Sequence, residues 1–220
     1  MRRWLGLSFA FLAGAPLLGV LLFVTFQPVK VLPRLQLAPG FVLVDQDGAP
    51  VTSDSLRGAL TLYSFSYARC GGACESPAPL LGELQAALAQ EDLGVPVRLV
   101  TVTVDPEHDT PAVLRAYGQQ VGADFTRWSF LTGPAPAVAA LVTGGFDVFA
   151  KPQTDGTLIL DTRLWLVDGW GIKRAEYSSY WPAPARVLRD LRLVAAEARN
   201  SAGWAKYAYD AAHFFGCYSE

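Results

Sequence analysis

Cys70-Gly-Gly-Ala-Cys74 carries the strongest chemical signal in this 220-residue chain: two of its three cysteines stand four residues apart. Thiols at that spacing can close on each other as a disulfide or converge on one soft metal ion. The pair follows an apolar run, Leu60-Thr-Leu-Tyr-Ser-Phe-Ser-Tyr67, and precedes a helical pattern that begins near Pro77. A strand-to-helix junction favours thiolate over thiol, because the unpaired N–H groups and dipole of a helix N-terminus stabilise negative charge. The competing reading is two small apolar residues that lie close without reacting. The scarcity of cysteine elsewhere favours redox or metal chemistry.

Other candidate ligands are few. The chain has two histidines. His108, within Asp105-Pro-Glu-His-Asp-Thr110, reads as a surface-loop residue unless that loop folds over the thiols. His213-Phe-Phe-Gly-Cys217 places a histidine and the third cysteine at i, i+4, on one face of a helix, where they could form a second metal site. The plainer reading is an aromatic tail with an unpaired cysteine, and Gly216 weakens a continuous helix there. Asp105, directly after an apolar strand, either holds the cysteine loop by hydrogen bonds or caps a turn.

These residues need elements to position them. Phe41–Asp45 reads as a short strand followed by the turn Gln46-Asp-Gly-Ala-Pro50. Residues 60–67 read as a strand, and Leu80, Leu81, Leu84, Ala87 and Leu88 repeat at helical spacing. Val97–Val104 is rich in β-branched residues and predicts a buried strand. Asp109-Thr110-Pro111 offers an N-cap and an early proline for a helix through Val121. A βαβ-like passage follows over Trp128–Leu131, Ala135–Val142 and Phe146–Ala150. Two last strands, Thr157–Val167 and Gly171–Tyr177, flank the turn Asp168-Gly-Trp-Gly171, and a helix runs from about Ala183 to Arg199. Trp165, Trp170 and Trp181 are expected in core or rim positions. Alternating strands and helices argue for a layered α/β domain. An early cysteine-bearing strand and a late hairpin suggest a thioredoxin-like sheet.

The ends differ from this domain. Arg2 and Arg3 precede Trp4–Phe26, 23 residues without a charge, longer than the roughly 20 residues a helix needs to cross a bilayer. The basic side predicts a cytoplasmic N-terminus and an exported domain. A cleavable signal peptide with Ala13-Gly-Ala15 as its site is the rival; the apolar residues continuing beyond that site favour an uncleaved anchor. Gln27–Gly40, with three prolines, reads as an extended tether. Without residues 1–30, 15 Lys and Arg face 20 Asp and Glu, a formal charge of −5. That acidic balance, with no basic stripe, argues against a nucleic-acid partner. The expected organisation is an anchor at 1–26, a tether at 27–40, a domain at 41–199, and an aromatic tail, a C-terminal helical extension, at 200–220.

At family level, Phe41-Val-Leu-Val-Asp-Gln-Asp-Gly48, Leu56-Arg-Gly58, Ser64-Phe-Ser-Tyr-Ala-Arg-Cys70 with Cys74, Val102-Thr-Val-Asp-Pro-Glu-His-Asp-Thr-Pro111, Trp128-Ser-Phe-Leu-Thr-Gly133 and Leu166-Val-Asp168 resemble, in order, the Sco/SenC family. The resemblance runs from about Phe41 to Leu193. It implies a membrane-anchored thioredoxin fold facing the periplasm or an equivalent space. It also implies work on the copper centre of a cytochrome c oxidase, as copper chaperone, thiol reductant or both, with Cys70 and Cys74 as metal ligands or redox pair. In the family a third copper ligand, a histidine, stands eight residues before the aspartate of the Leu-Val-Asp segment. Here that position is Leu160, followed by Asp161, which shifts weight toward the redox role. Gly71 and Glu75 stand where the family usually has prolines.

Three functions remain open from sequence. The leading one is an anchored Sco-like protein that matures a copper oxidase by Cu(I) handling or dithiol–disulfide exchange, with Cys70 as attacking thiol. Its partner would be a copper oxidase subunit or another thiol-redox protein. The second is a general thiol–disulfide oxidoreductase or thiol peroxidase without copper. The third is a non-catalytic accessory subunit docked through its aromatic tail.

Overall fold

The computed structural model describes residues 18, 21–22, 25, 29–70, 74–154, 157–161, 163–178 and 181–215. Most of the Trp4–Phe26 stretch, Gly71 and Cys217 lie outside these residues. Among the described residues no helix is long and apolar enough to cross a membrane. The chain divides into two compact units, one of Arg34–Arg199 and one that joins Met1–Pro33 to Asn200–Glu220.

The larger unit is built on a five-stranded sheet of order β5-β4-β3-β8-β9. β3 (Leu60–Ser66) is its centre and is buried at all seven positions. A strand covered on both faces tolerates a continuous apolar run in place of alternation. β4 (Val97–Thr103) and β5 (Trp128–Leu131) run parallel beside it, while β8 (Arg163–Val167) and β9 (Lys173–Ser178) add an antiparallel hairpin on the other side. This is the thioredoxin-like arrangement expected from the sequence. A small ribbon, β1 (Val42–Val44) with β2 (Pro50–Thr52), stands apart from the sheet and reaches it through the Val44–Thr132 bridge.

Alternation along the strands sends successive side chains to opposite faces. Tyr63, Phe65, Val100, Val102, Trp165 and Val167 form one core with Leu43, Phe146, Val148 and Leu160. On the chain's other strand positions, Leu62, Leu99, Leu164 and Leu166 are buried. Helix α1 (Ala78–Gln90) buries Leu80, Leu81, Leu84 and Leu88, the periodic positions of the sequence. Each fully buried leucine is worth about 1.5–3 kcal/mol relative to exposure, before entropy is counted. Helix α2 (Pro111–Gln120) is capped by the Thr110 hydroxyl, which accepts from Val113 N–H, so Thr110 rather than Asp109 is the cap.

Two expected strands are corrected. Phe146–Ala150 is not a strand. The short helix α3 (Ala135–Ala139) widens into a π-turn over Ala140–Gly145, and Val148 N–H closes back on Val142 O. Asp147 is left-handed at φ 55°, which no strand permits. Pairing starts only at β6 (Ala150–Pro152). The expected strand 157–167 is likewise two elements: β7 (Leu158–Leu160) pairs with β6 in a separate ribbon, and β8 belongs to the main sheet. Residues 35–38, which read as tether, line the outer side of β9: Leu35 N–H donates to Lys173 O, Lys173 N–H to Gln36 O and Ala38 N–H to Gly171 O. Gly171 closes the β8–β9 turn at φ +76°, where a Cβ would run into the Arg57 guanidinium. Trp165 is buried and Trp170 is half exposed, in line with the core-or-rim expectation.

Helix α4 (Pro184–Arg199) lies over β3 and beside α1. In the smaller unit the described residues form helix α5 (Ala205–Phe215), the C-terminal helical extension.

Candidate functional site

The cysteines sit where the central strand ends, and four consecutive residues there are pinned one by one. Tyr67 hydroxyl donates to Leu158 O (3.1 Å) and accepts from Leu158 N–H (3.0 Å), tying the end of β3 to the β6–β7 ribbon. Ala68 N–H donates to Asp109 Oδ2 (3.0 Å). Arg69 Nη2 donates to Asp105 Oδ2 (2.7 Å). Cys70 N–H turns back to Tyr67 O (3.0 Å). The loop that follows is closed covalently: Cys70 and Cys74 form a disulfide with their Cα atoms 5.3 Å apart. Cys70 is half-buried and Cys74 is 8% exposed, so the first cysteine is the more exposed of the two.

Three residues separate Cys74 from Ala78, the first residue of α1, and Ala78 N–H donates to Ser76 Oγ (3.2 Å). Ser76 Oγ also shares a hydrogen bond with Tyr117 hydroxyl (3.1 Å). Ser76 thus accepts from the first N–H of the helix, and Arg69, the residue before Cys70, is paired with Asp105.

Asp105 does both things that the sequence left open. Its backbone carbonyl accepts from His108 and Asp109 N–H, forming the turn, and its carboxylate bridges Arg69 and His108 Nδ1 (2.7 Å). Burial pushes this carboxyl upward, but the hydrogen bonds and charges of His108 and Arg69 outweigh it and hold the group below its ordinary range. His108 is more than half exposed and folds onto Asp105.

Asp109 is the residue that sequence reasoning missed. It is fully buried; Oδ2 accepts from Ala68 N–H and from Thr103 hydroxyl, while Oδ1 has no partner among the described residues. Burial is the main reason that its carboxyl is pushed above the usual 3.8, against the lowering effect of those two hydrogen bonds. The four-residue step from Asp105 to Asp109 places both carboxylates on one tight turn under the cysteine segment. That step was a usable signal, hidden by the habit of reading a carboxylate before a helix as its cap.

A variant pair tests this support. Asp109→Asn keeps an oxygen for the Ala68 N–H and the Thr103 hydroxyl and adds no buried charge. Asp109→Ala removes both acceptors and is expected to cost about 1–3 kcal/mol. The folded state holds the Asp109 proton more tightly than the unfolded chain does. Its contribution is therefore most favourable in acid and is lost as pH climbs from 3.8 through the raised folded value. Asp105 has the opposite sign: its contribution is present above the ordinary carboxylate range and lost on acidification. Melting temperatures across a pH series should show the Asn variant gaining on wild type as pH rises. A constant gap would show that Asp109 carries no buried charge.

Among the described residues there is no cluster of three or more His, Cys, Asp or Glu arranged to hold a metal ion. Leu160 is buried in the core with Phe146, Val148 and Trp165. His213 lies on α5, and Cys217 falls outside the described residues.

Comparison with known proteins agrees with this architecture. The sequence profile of SCO1/SenC matches residues 30–189. The SCO1 protein homolog of Bacillus subtilis is 27% identical over 146 residues, covering 66% of this chain and 75% of the relative. Among solved structures, BsSco, in which a disulfide switch was identified and which is described as a member of the Sco family of cytochrome c oxidase assembly proteins, superposes with a TM-score of 0.67 at 25% identity, covering 76% of this chain and 98% of that one. Copper-bound ScoI of Bradyrhizobium japonicum gives a TM-score of 0.60 at 27% identity, covering 72% and 99%. With the profile spanning most of the chain and the thioredoxin-type sheet presenting its cysteine pair at the end of the central strand, this protein belongs to the SCO1/SenC family.

Proposed function

We propose that this chain is a membrane-anchored Sco protein that exchanges a dithiol for a disulfide at Cys70 and Cys74 during maturation of a copper-containing cytochrome c oxidase. The observation that carries this reading is the closed Cys70–Cys74 bond on a segment held residue by residue from Tyr67 to Cys70. The assembly role and the disulfide switch of BsSco support it. In the reduced chain, the Cys70 thiolate attacks one sulfur of the partner's disulfide and displaces the other as thiolate. Cys74, losing its proton, then attacks Cys70 and releases the partner's second thiolate. Two electrons pass to the partner, and the Cys70–Cys74 bond is the oxidised product. A separate thiol-redox protein must reduce it again. The uncharged stretch Trp4–Phe26 would hold the domain on the outer face of the membrane.

Copper is the second reading, favoured by the copper-bound relative. It would be cargo. Two reduced thiolates suit Cu(I), a soft ion, and Leu160 provides no third ligand.

One experiment separates the two readings. The full chain in detergent is equilibrated with glutathione buffers, its thiols are counted by alkylation, and the reduced protein is titrated with Cu(I) against a competing chelator. Reversible two-electron titration of Cys70 and Cys74 with Cu(I) binding no tighter than in Cys70→Ser supports the redox role. Tight one-to-one copper binding that requires both cysteines supports the cargo role. If the pair neither titrates nor binds copper, both readings fall.

A further inference from the structure

Helix α5 lies outside the matched family segment, which ends at residue 189. Its surface is unusual for water. Trp204 is 90%, Tyr207 67% and Phe214 87% exposed. Trp204 stands directly before the helix, and Tyr207, half-buried Asp210 and Phe214, at steps of three and four residues, share one face of it. Trp204 and Tyr207 already touch, their ring centroids 5.9 Å apart. Ala212, by contrast, is buried, so α5 has a covered side and an exposed aromatic side. Lys206 is exposed beside the stripe. Such a stripe is costly in water and suits the boundary between lipid headgroups and acyl chains, where Trp and Tyr bury their rings and keep a polar edge wet.

The larger unit says where α5 must begin. Arg34 Nη2 and Glu197 Oε1 are 2.8 Å apart, so the chain enters and leaves the domain at one pole. Arg34 stands eight steps along the chain from Phe26, the last of the uncharged stretch, a reach of at most about 28 Å. Trp204 stands five steps from Arg199, at most about 18 Å. The tail therefore starts at the pole tethered to the anchor, and Met1–Pro33 and Asn200–Glu220 belong to one compact unit.

We infer that α5 lies flat in the lipid headgroup layer beside the anchor, burying Trp204, Tyr207 and Phe214 and giving the domain a second hold on the bilayer. This rests on the reading of Trp4–Phe26 as a membrane anchor. A two-point hold would restrict rotation of the domain about its tether and fix the height at which Cys70 and Cys74 meet a membrane-bound partner.

The test uses the full chain in phosphatidylcholine–phosphatidylglycerol vesicles, some with acyl chains brominated near the headgroup. Wild type is compared with Trp204→Phe, so that the difference in emission isolates Trp204 from Trp4 and the domain tryptophans. The expected result is a blue-shifted Trp204 component that brominated lipid quenches and aqueous acrylamide does not. Replacing Tyr207 and Phe214 together with serine should shift that component toward the red and restore its quenching by acrylamide. A Trp204 component quenched by acrylamide and untouched by brominated lipid would overturn the inference. So would one shielded from both, the sign of a protein partner on the stripe. Flotation of the vesicles after an alkaline wash reads the anchor separately. Protein that floats with Trp204 unquenched keeps the anchor and loses α5; protein that fails to float overturns both.

Discussion

Cys74→Ser is expected to arrest exchange as a stable mixed disulfide through Cys70, whereas Cys70→Ser is expected to reduce exchange to background. The difference follows from position. Cys70 is half-buried, the more accessible cysteine to a partner. Cys74 is 8% exposed, well placed to attack Cys70 from inside the loop but poorly placed to meet a partner. Exchange passes through a mixed disulfide, so removing the resolving sulfur leaves the first step intact and blocks the second. Both variants should stay folded, because closing a loop this short stabilises by only about 2 kcal/mol in the chain-entropy view. The assay belongs in a Cys217→Ser background, so that the third cysteine does not react. Reduced protein is incubated with excess glutathione disulfide and weighed by mass spectrometry. Accumulation of one glutathione adduct on the Cys74→Ser chain, and none on Cys70→Ser, is the expected pattern. The reverse pattern would make Cys74 the attacker, and equal adducts on both would remove any assignment of order.

What the sequence showed of this site depended on distance along the chain. β3, β4 and α1 were legible because their signals are local: a buried apolar run, a β-branched run and leucines at helical spacing. The cysteine pair was legible for the same reason. The support beneath it was not. Tyr67 finds Leu158 across 91 residues and Ala68 finds Asp109 across 41, and no periodicity in either segment announces such a partner. Between residues 140 and 161 the local pattern misled. Apolar residues there serve a π-turn, a left-handed Asp147 and a small ribbon, which share the composition of a strand without its geometry. The prolines of 27–40 imply extended backbone. Extension alone cannot distinguish a free tether from residues 35–38 hydrogen-bonded along β9.

Arg174→Ala is expected to destabilise the larger unit by about 3–5 kcal/mol, because it strands buried carboxylates. Arg174 is completely buried on β9. Nη1 meets Asp168 Oδ2 at 3.1 Å and Nη2 meets Glu197 Oε2. Asp168 and Glu197 are each 2% exposed. The guanidinium thus joins the β8–β9 turn to the end of α4, and Glu197 passes the link on to Arg34, where the chain enters the domain. Asp168 Oδ1 also accepts from Trp170 and Ile172 N–H, so the turn loses its charge balance but keeps its hydrogen bonds. Glu197 retains Arg34, which limits the loss at that end. At roughly 2–4 °C per kcal/mol for a domain of this size, the melting temperature of the full chain should fall by about 6–20 °C. Arg174→Lys keeps the charge but not the fork that spans two carboxylates, and should lie between wild type and alanine. The cause is separable from lost packing. Combining Arg174→Met with Glu197→Gln and Asp168→Asn removes the charges on both sides, and should recover much of the loss if stranded charge is the reason. A triple variant as unstable as Arg174→Ala would assign the cost to shape instead. In either case the Cys70–Cys74 titration should be unchanged in protein that remains folded, because the ion pairs of the network join Arg34, Asp168, Arg174 and Glu197 at the pole of the domain where the chain enters and leaves.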